Sequence, residues 1–420
     1  MPLDLPRLMP QIEAMASRLG AAQQEQRRHL QLALETLHKC DIVALKSKIA
    51  ASRTTWLVAD PMENPVQFYD PAACPVDYSV AAADGSHIDI DRHSLAHCYL
   101  INLGAILLRY GAEPDAHLLS QPTLYSEDAD MVIADPSTGR QESVQGVLLG
   151  LKRTVAECQL LADLLGKLDG ERLALGLLDG SLILWPLARQ TFEAFVREAI
   201  LDKGLLPSLT TAKELSRGRL LALASYISHP GSTEVVNTIR VALCPHEPAD
   251  CDRYCWGKRQ PGERPCDEVS GLRDRDLFYR VLKPGQRSAL FMSRSSILKY
   301  YGEHQICFFY LCLEGEIARV ELPIWVAQNN AALELTHSLI LGQCRKGQGY
   351  PLALSEAHEQ AVVGTADREQ FWQLVQASFV ERHLREQVSA RAIAKGQGGC
   401  SGQNRRGGGI QHQPVHRSVL

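Results

Sequence analysis

An α/β fold, a mixed sheet flanked by helices, is the class this 420-residue sequence predicts. Two observations carry it. Apolar runs at Val80–Ala83 and Leu173–Leu178 each end in the same triplet, Asp84-Gly85-Ser86 and Asp179-Gly180-Ser181. Stretches of helical period alternate with these and later strand-like runs. Each triplet reads as a buried strand that delivers a carboxylate to its end and turns on the glycine. One Asp-Gly alone is a common turn. Two copies after matching runs point to carboxylates gathered at one sheet, which repel unless a divalent cation lies between them.

Residues 5 to about 50 predict a helical arm, with Leu8, Ile12, Met15, Leu19, Leu30, Leu34 and Leu37 at helical spacing. Residues 60–79 hold Pro61, Asn64, Pro65, Pro71 and Pro75 and read as a loop. After the first triplet strand, Cys98–Tyr110 reads as a strand or a short helix. Residues 142–168 predict an amphipathic helix, with Val147, Leu151, Val155, Leu161 and Leu165 on its apolar side. The second triplet strand follows, then a helix over 187–203 and a strand over 220–227. Two strands flank Glu314-Gly315-Glu316 as a hairpin. Helices are expected over 329–341, 351–362 and 367–388.

The length allows a large domain with additions. Residues 1–60 are read as the helical region and 61–388 as the main domain. An insertion interrupts it at about 244–275, and 389–420 is read as a disordered, basic, Gly-rich tail. The net charge is −4, so no global basic signature for nucleic acid exists. A local track would suffice for one. No apolar leader precedes the helical arm and no apolar run reaches 18 residues, so a cytoplasmic protein outside the membrane is expected. Twelve cysteines in a chain this long fit a reducing compartment better than a disulfide scaffold.

Four of those cysteines, Cys244, Cys251, Cys255 and Cys266, crowd the insertion, with His246 nearby. Their number points to a structural zinc site. Their x6, x3, x10 spacing lacks paired C-x-x-C knuckles, so loosely packed thiols are the alternative.

Several segments together resemble the NurA-domain nucleases. They are the two Asp-Gly-Ser strands, Arg319–Ala327 (RVELPIWVA), Gly349–Glu359 (GYPLALSEAHE), and Tyr226-Ile227-Ser228 followed by Glu234-Val235-Val236-Asn237. The resemblance spans about Val80 to Val375. It implies an RNase H-like core, a manganese-dependent nuclease site, a HerA-type hexameric ATPase as partner in DNA end resection, and a homodimer. Carried over position by position, it implies Asp84 and Asp179 as metal ligands. It also implies a glutamate on the preceding helix, Glu157 with Glu142 as the second choice, and Tyr350 and His358 from the C-terminal motif.

These residue types suit the chemistry. Carboxylates are the hard ligands that Mn²⁺ and Mg²⁺ prefer. A histidine completes a manganese shell or carries a proton. Tyr350 can hold a phosphate or stack on a base. Arg287, Arg294, Lys299 and Arg319 are candidate contacts to the DNA backbone. The competing classes are a catalytically silent RNase H-like module that clamps DNA or a translocase, and a metal-dependent phosphatase. No phosphate-cradling GxxxxGK[ST] loop is present, which argues against an NTPase.

Overall fold

Small side chains and leucines let the central strands lie buried on both faces. The computed structural model describes residues 4–90, 96–168, 173–189, 192–258 and 262–382, apart from the side chains of 21–23. The tail expected over 389–420 lies outside them. Five strands build the core: β1 (Tyr78–Ile88), β2 (Tyr99–Tyr110), β3 (Asp115–Tyr125), β4 (Leu173–Asp179) and β5 (Leu221–Ile227). Their order in the sheet is β3-β2-β1-β4-β5. β1, β2 and β3 are antiparallel neighbours, whereas β4 runs parallel to β1 and β5 parallel to β4. That order and those directions form an RNase H-like core. Beyond β5 the sheet continues through β8 (Ile317–Pro323), β7 (Ile306–Cys312) and β6 (Phe291–Ser293), all antiparallel.

Helices cover both faces. α3 (Val147–Gly166) buries Leu148, Leu151, Val155, Leu161 and Leu165 against Ala81 and Ala83 of β1. On the other face, α5 (Asn330–Lys346) and α6 (Leu352–Ala361) pack against Val80, Ala82, Leu175 and Leu177. Before and beside the core lie α1 (Leu5–Lys39), α2 (Ile42–Ala51) and α4 (Glu234–Leu243). Leu30 and Leu37 of α1 join Val235, Val236 and Ile239 of α4 in a third apolar cluster.

The structure corrects several expectations. The arm over 5–50 breaks at Cys40-Asp41, where the Asp41 carboxylate accepts from the Ala44 N–H at 2.8 Å and starts α2. The loop over 60–79 contains the ends of two short strands, Ala59–Pro61 and Phe68–Tyr69. β1 does not turn at Gly85; it runs on to Ile88. The helix expected from 142 starts at Val147. The helix over 187–203 is broken into Trp185–Arg189, Ala194–Arg197 and a π-helical turn, Glu198–Leu205, that leads into Leu206–Leu215. The last helix, α7 (Thr365–Glu381), buries no residue and so is not an amphipathic packing element here. Among the described residues no helix is long and apolar enough to cross a membrane.

A candidate carboxylate site at the sheet edge

Parallel register sets the geometry. Ala83 of β1 pairs with Leu178 of β4, so the next residues, Asp84 and Asp179, stand level on neighbouring strands. Both follow residues packed under α3, so their side chains alternate to the α5–α6 face.

α6 delivers His358 to Asp84. Gly104 of β2 lies directly opposite Asp84. A Cβ there would sit 2.3 Å from the Ala357 carbonyl oxygen and the Ala361 nitrogen, so only glycine lets α6 lie this close to the sheet. Asn102 and Ser86 then occupy the open end of α6. Asn102 Nδ2 donates to the carbonyls of Gln360 and Ala361 at 3.2 and 2.9 Å, and Ser86 Oγ donates to Ala361 at 2.6 Å. With the helix fixed, His358 Nδ1 rests 2.7 Å from Asp84 Oδ2. The ring is otherwise open to solvent, its side chain 60% exposed.

Tyr350 does the same for Asp179. Its phenol hydrogen-bonds the carboxylate. Burial raises the Asp179 pKa, the Tyr350 bond opposes that rise, and the Asp84 charge adds to it. The Tyr350 hydroxyl is itself held above its ordinary range, first by burial and then by the Asp179 charge. The Tyr350 ring meets Tyr226 edge to face at 5.4 Å, and the Tyr226 hydroxyl donates to Glu316 Oε1 at 2.7 Å.

Glu157 comes from the opposite face. It is buried on α3, and a Cβ on Gly85 would stand 2.7 Å from its Oε1. Burial raises its pKa to about 8; Arg153 opposes the rise, and Asp84 and Asp179 reinforce it. Arg153 Nε lies 3.0 Å from Oε1, an ion pair one helical turn apart. Apart from this ion pair, neither atom has a hydrogen-bond partner among the described residues.

The structure therefore brings Asp84, Glu157, Asp179, Tyr350 and His358 to one edge. Glu142 is not among them: it stands exposed on a short strand, Gln141–Ser143, ahead of α3. Arg287 and Arg319 also need correction as surface contacts. Arg287 is buried against Glu63 at 3.2 Å. Arg319, 2% exposed, pairs with Glu234 at 2.7 Å and Glu321 at 2.9 Å and lies 3.6 Å over the Phe308 ring. Arg294 and Lys299 are exposed, with Arg294 donating to the Ile49 carbonyl at 2.7 Å. Arg153, Tyr226 and Glu316 were not singled out for the site. The one sequence signal among them was the four-residue step from Arg153 to Glu157.

Fold and site define an RNase H-like protein with a carboxylate centre at the ends of adjacent parallel strands. The chain belongs to the NurA domain family, whose profile matches residues 78–363. No curated protein matches it. Among solved structures, the NurA nuclease from Sulfolobus solfataricus is 12% identical, covering 91% of this chain and 98% of that one, with a TM-score of 0.45. A NurA structure with manganese is 12% identical, with coverage of 84% and 98% and a TM-score of 0.34. The Argonaute of Aquifex aeolicus is 12% identical, with coverage of 69% and 29% and a TM-score of 0.27. Likeness this distant assigns no residue its role.

Proposed function

We propose that this protein is a manganese-dependent deoxyribonuclease, with Mg²⁺ as the second metal its ligands suit. The observation that carries the reading is the register that sets Asp84 beside Asp179, with buried Glu157 beneath them. Like charges this close are costly in a half-buried setting, and the cation beside Glu157 Oε1, Arg153 at 3.0 Å, offsets only part of the cost. A hard divalent cation would satisfy these carboxylates once they draw together around it, so the chemistry of the donor set fits Mn²⁺.

When bound, the metal supplies Lewis acidity that activates water and neutralises charge on a phosphate. Asp84, Glu157 and Asp179 would hold it, with His358 as a further ligand or as proton carrier. The protein's own part is positioning. Asp84 fixes the His358 ring through Nδ1 and leaves Nε2 facing solvent, where it can accept or give a proton. The Tyr350 phenol fixes the Asp179 carboxylate. DNA as substrate, a HerA-type hexameric ATPase as partner in end resection and a homodimer belong to this proposal on the support of family membership, and a cytoplasmic setting on that of the cysteine usage.

The test is degradation of linear single- and double-stranded DNA with Mn²⁺, with Asp84→Ala and Asp179→Ala alongside. Cleavage by the wild type that both variants lose is the expected result. A wild type that stays silent with a HerA-type ATPase added would overturn the nuclease reading in favour of a clamping module.

A further inference from the structure

The segment after α4 has little apolar burial to hold it. Among its described residues from Cys244 to Val269, the buried apolar side chains are Ala249, Cys266 and Val269, while Trp256 is 84% exposed. A stretch this poor in core needs another staple.

Its four cysteines are placed to provide one. Cys244 caps the C-terminal end of α4. Cys251 opens a short helix, Cys251–Tyr254, and Cys255 closes it, the Cys255 N–H donating to the Cys251 carbonyl at 3.0 Å. Cys266 sits in the 3₁₀ turn Pro265–Val269, which packs on α4. The backbone pins this assembly beside residue 53: Arg53 N–H donates to Ala249 at 2.8 Å, and Cys251 N–H donates to Arg53 at 2.9 Å.

The thiols feel one another's charge. The Cys251 thiol lies within electrostatic reach of those of Cys244, Cys255 and Cys266, and Cys266 within reach of Cys255. None forms a disulfide. Donors meet them: the Thr55 backbone N–H bonds Cys251, and Arg240 Nη2 stands 4.0 Å from Cys266 Sγ. Burial raises the pKa of the Cys251 and Cys266 thiols, and these donors oppose the rise, as they would support thiolates once a metal binds. His246 is stacked on Tyr254 at 3.9 Å, which leaves the thiols as the ligand set.

We propose that Cys244, Cys251, Cys255 and Cys266 are the ligands of a structural tetrathiolate metal centre. Four thiolates with no open position suit zinc, and the same set suits an iron–sulfur cluster. The ligands are gathered rather than closed. Among the described residues no three Cys, His, Asp or Glu side chains meet tightly enough to hold an ion, and this applies equally to the carboxylates at the sheet edge. Closure would cross-link the end of α4, the short helix and the 3₁₀ turn, supplying folding energy where apolar contacts are scarce.

The test is elemental analysis of the full chain, purified without chelator, for zinc, iron and acid-labile sulfide. It is run in an Asp84→Asn/Asp179→Asn background so that the carboxylates do not contribute. About one zinc per chain is expected. It should fall roughly tenfold or more in Cys251→Ser and Cys255→Ser and stay unchanged in Cys74→Ser. Iron with matching sulfide, lost in the same two variants, supports the site and assigns a cluster. If the serine variants misfold, Co²⁺ titration of the unsubstituted thiols decides: intense thiolate-to-cobalt absorption supports the centre. Metal-free protein whose thiols give no such absorption would overturn it.

Discussion

The two Asp-Gly-Ser copies are identical as sequence and opposite in use. In the first, Gly85 stays in the strand and its missing side chain makes room for Glu157. In the second, Gly180 adopts φ 86° and ends the strand. Asp84 is met by a histidine from α6, and Asp179 by a tyrosine from the turn before α6. Ser86 closes the end of α6, whereas Ser181 donates to Glu321 Oε2 at 2.7 Å and ties β4 to β8. The same triplet serves as a close-packing site on a continuing strand and as a chain reversal. Neighbours remote in sequence decide which.

The largest test of this contrast uses pH, because Glu157 packs against the glycine of the first copy and not that of the second. Its folded pKa of about 8 exceeds the unfolded value of 4.5, so the fold holds the proton more tightly than the unfolded chain does. Stability of the metal-free protein should therefore be full below pH 4.5 and fall as pH rises toward about 8. Thermal melts should show the decline. Glu157→Gln should flatten it, and Mn²⁺ should flatten it in the wild type. An unchanged slope in Glu157→Gln would remove Glu157 from the centre.

Next is Gly104→Ala, which forces backbone against backbone under α6. We expect a loss of about 3 kcal/mol or more in urea unfolding, with cleavage abolished. His358→Ala should leave the fold intact and lower cleavage by ~10²-fold, whereas Tyr350→Phe should cost roughly tenfold. Equal losses would show that the two aspartates are supported alike. Gly85→Ala against Gly180→Ala then separates the copies directly. Each should cost about 1–2 kcal/mol, the first by displacing Glu157 and the second by left-handed strain. Only the first should reduce cleavage strongly. The smallest effect is Ser86→Ala, which should cost about 1 kcal/mol by leaving the Ala361 carbonyl short of a donor, with cleavage nearly unchanged.

The two triplet strands were legible because their apolar runs are local and both lead into the same Asp-Gly-Ser letters. That the two strands share a sheet was foreshadowed by the repeat; their parallel direction was not. β3 was missed because nine of the eleven residues in Asp115–Tyr125 are exposed, and an exposed edge strand leaves no apolar alternation to read. Arg287 and Arg319 misled because arginine normally marks the surface. Here Glu63, Glu234 and Glu321, brought from distant segments, neutralise them inside. The first triplet's continuing strand was hidden for a similar reason: Gly85 answers to a helix that sequence proximity does not reveal. Glu157 was legible against Glu142 only through the helix that carries it.

The His358–Asp84 contact joins positions 274 residues apart. During synthesis the first aspartate emerges long before the histidine and tyrosine that support it. A nascent chain therefore has the acidic strands but lacks the residues that orient them, and the centre is completed only when α6 settles against Gly104. For the deoxyribonuclease proposed above, the order of manufacture is itself a safety catch.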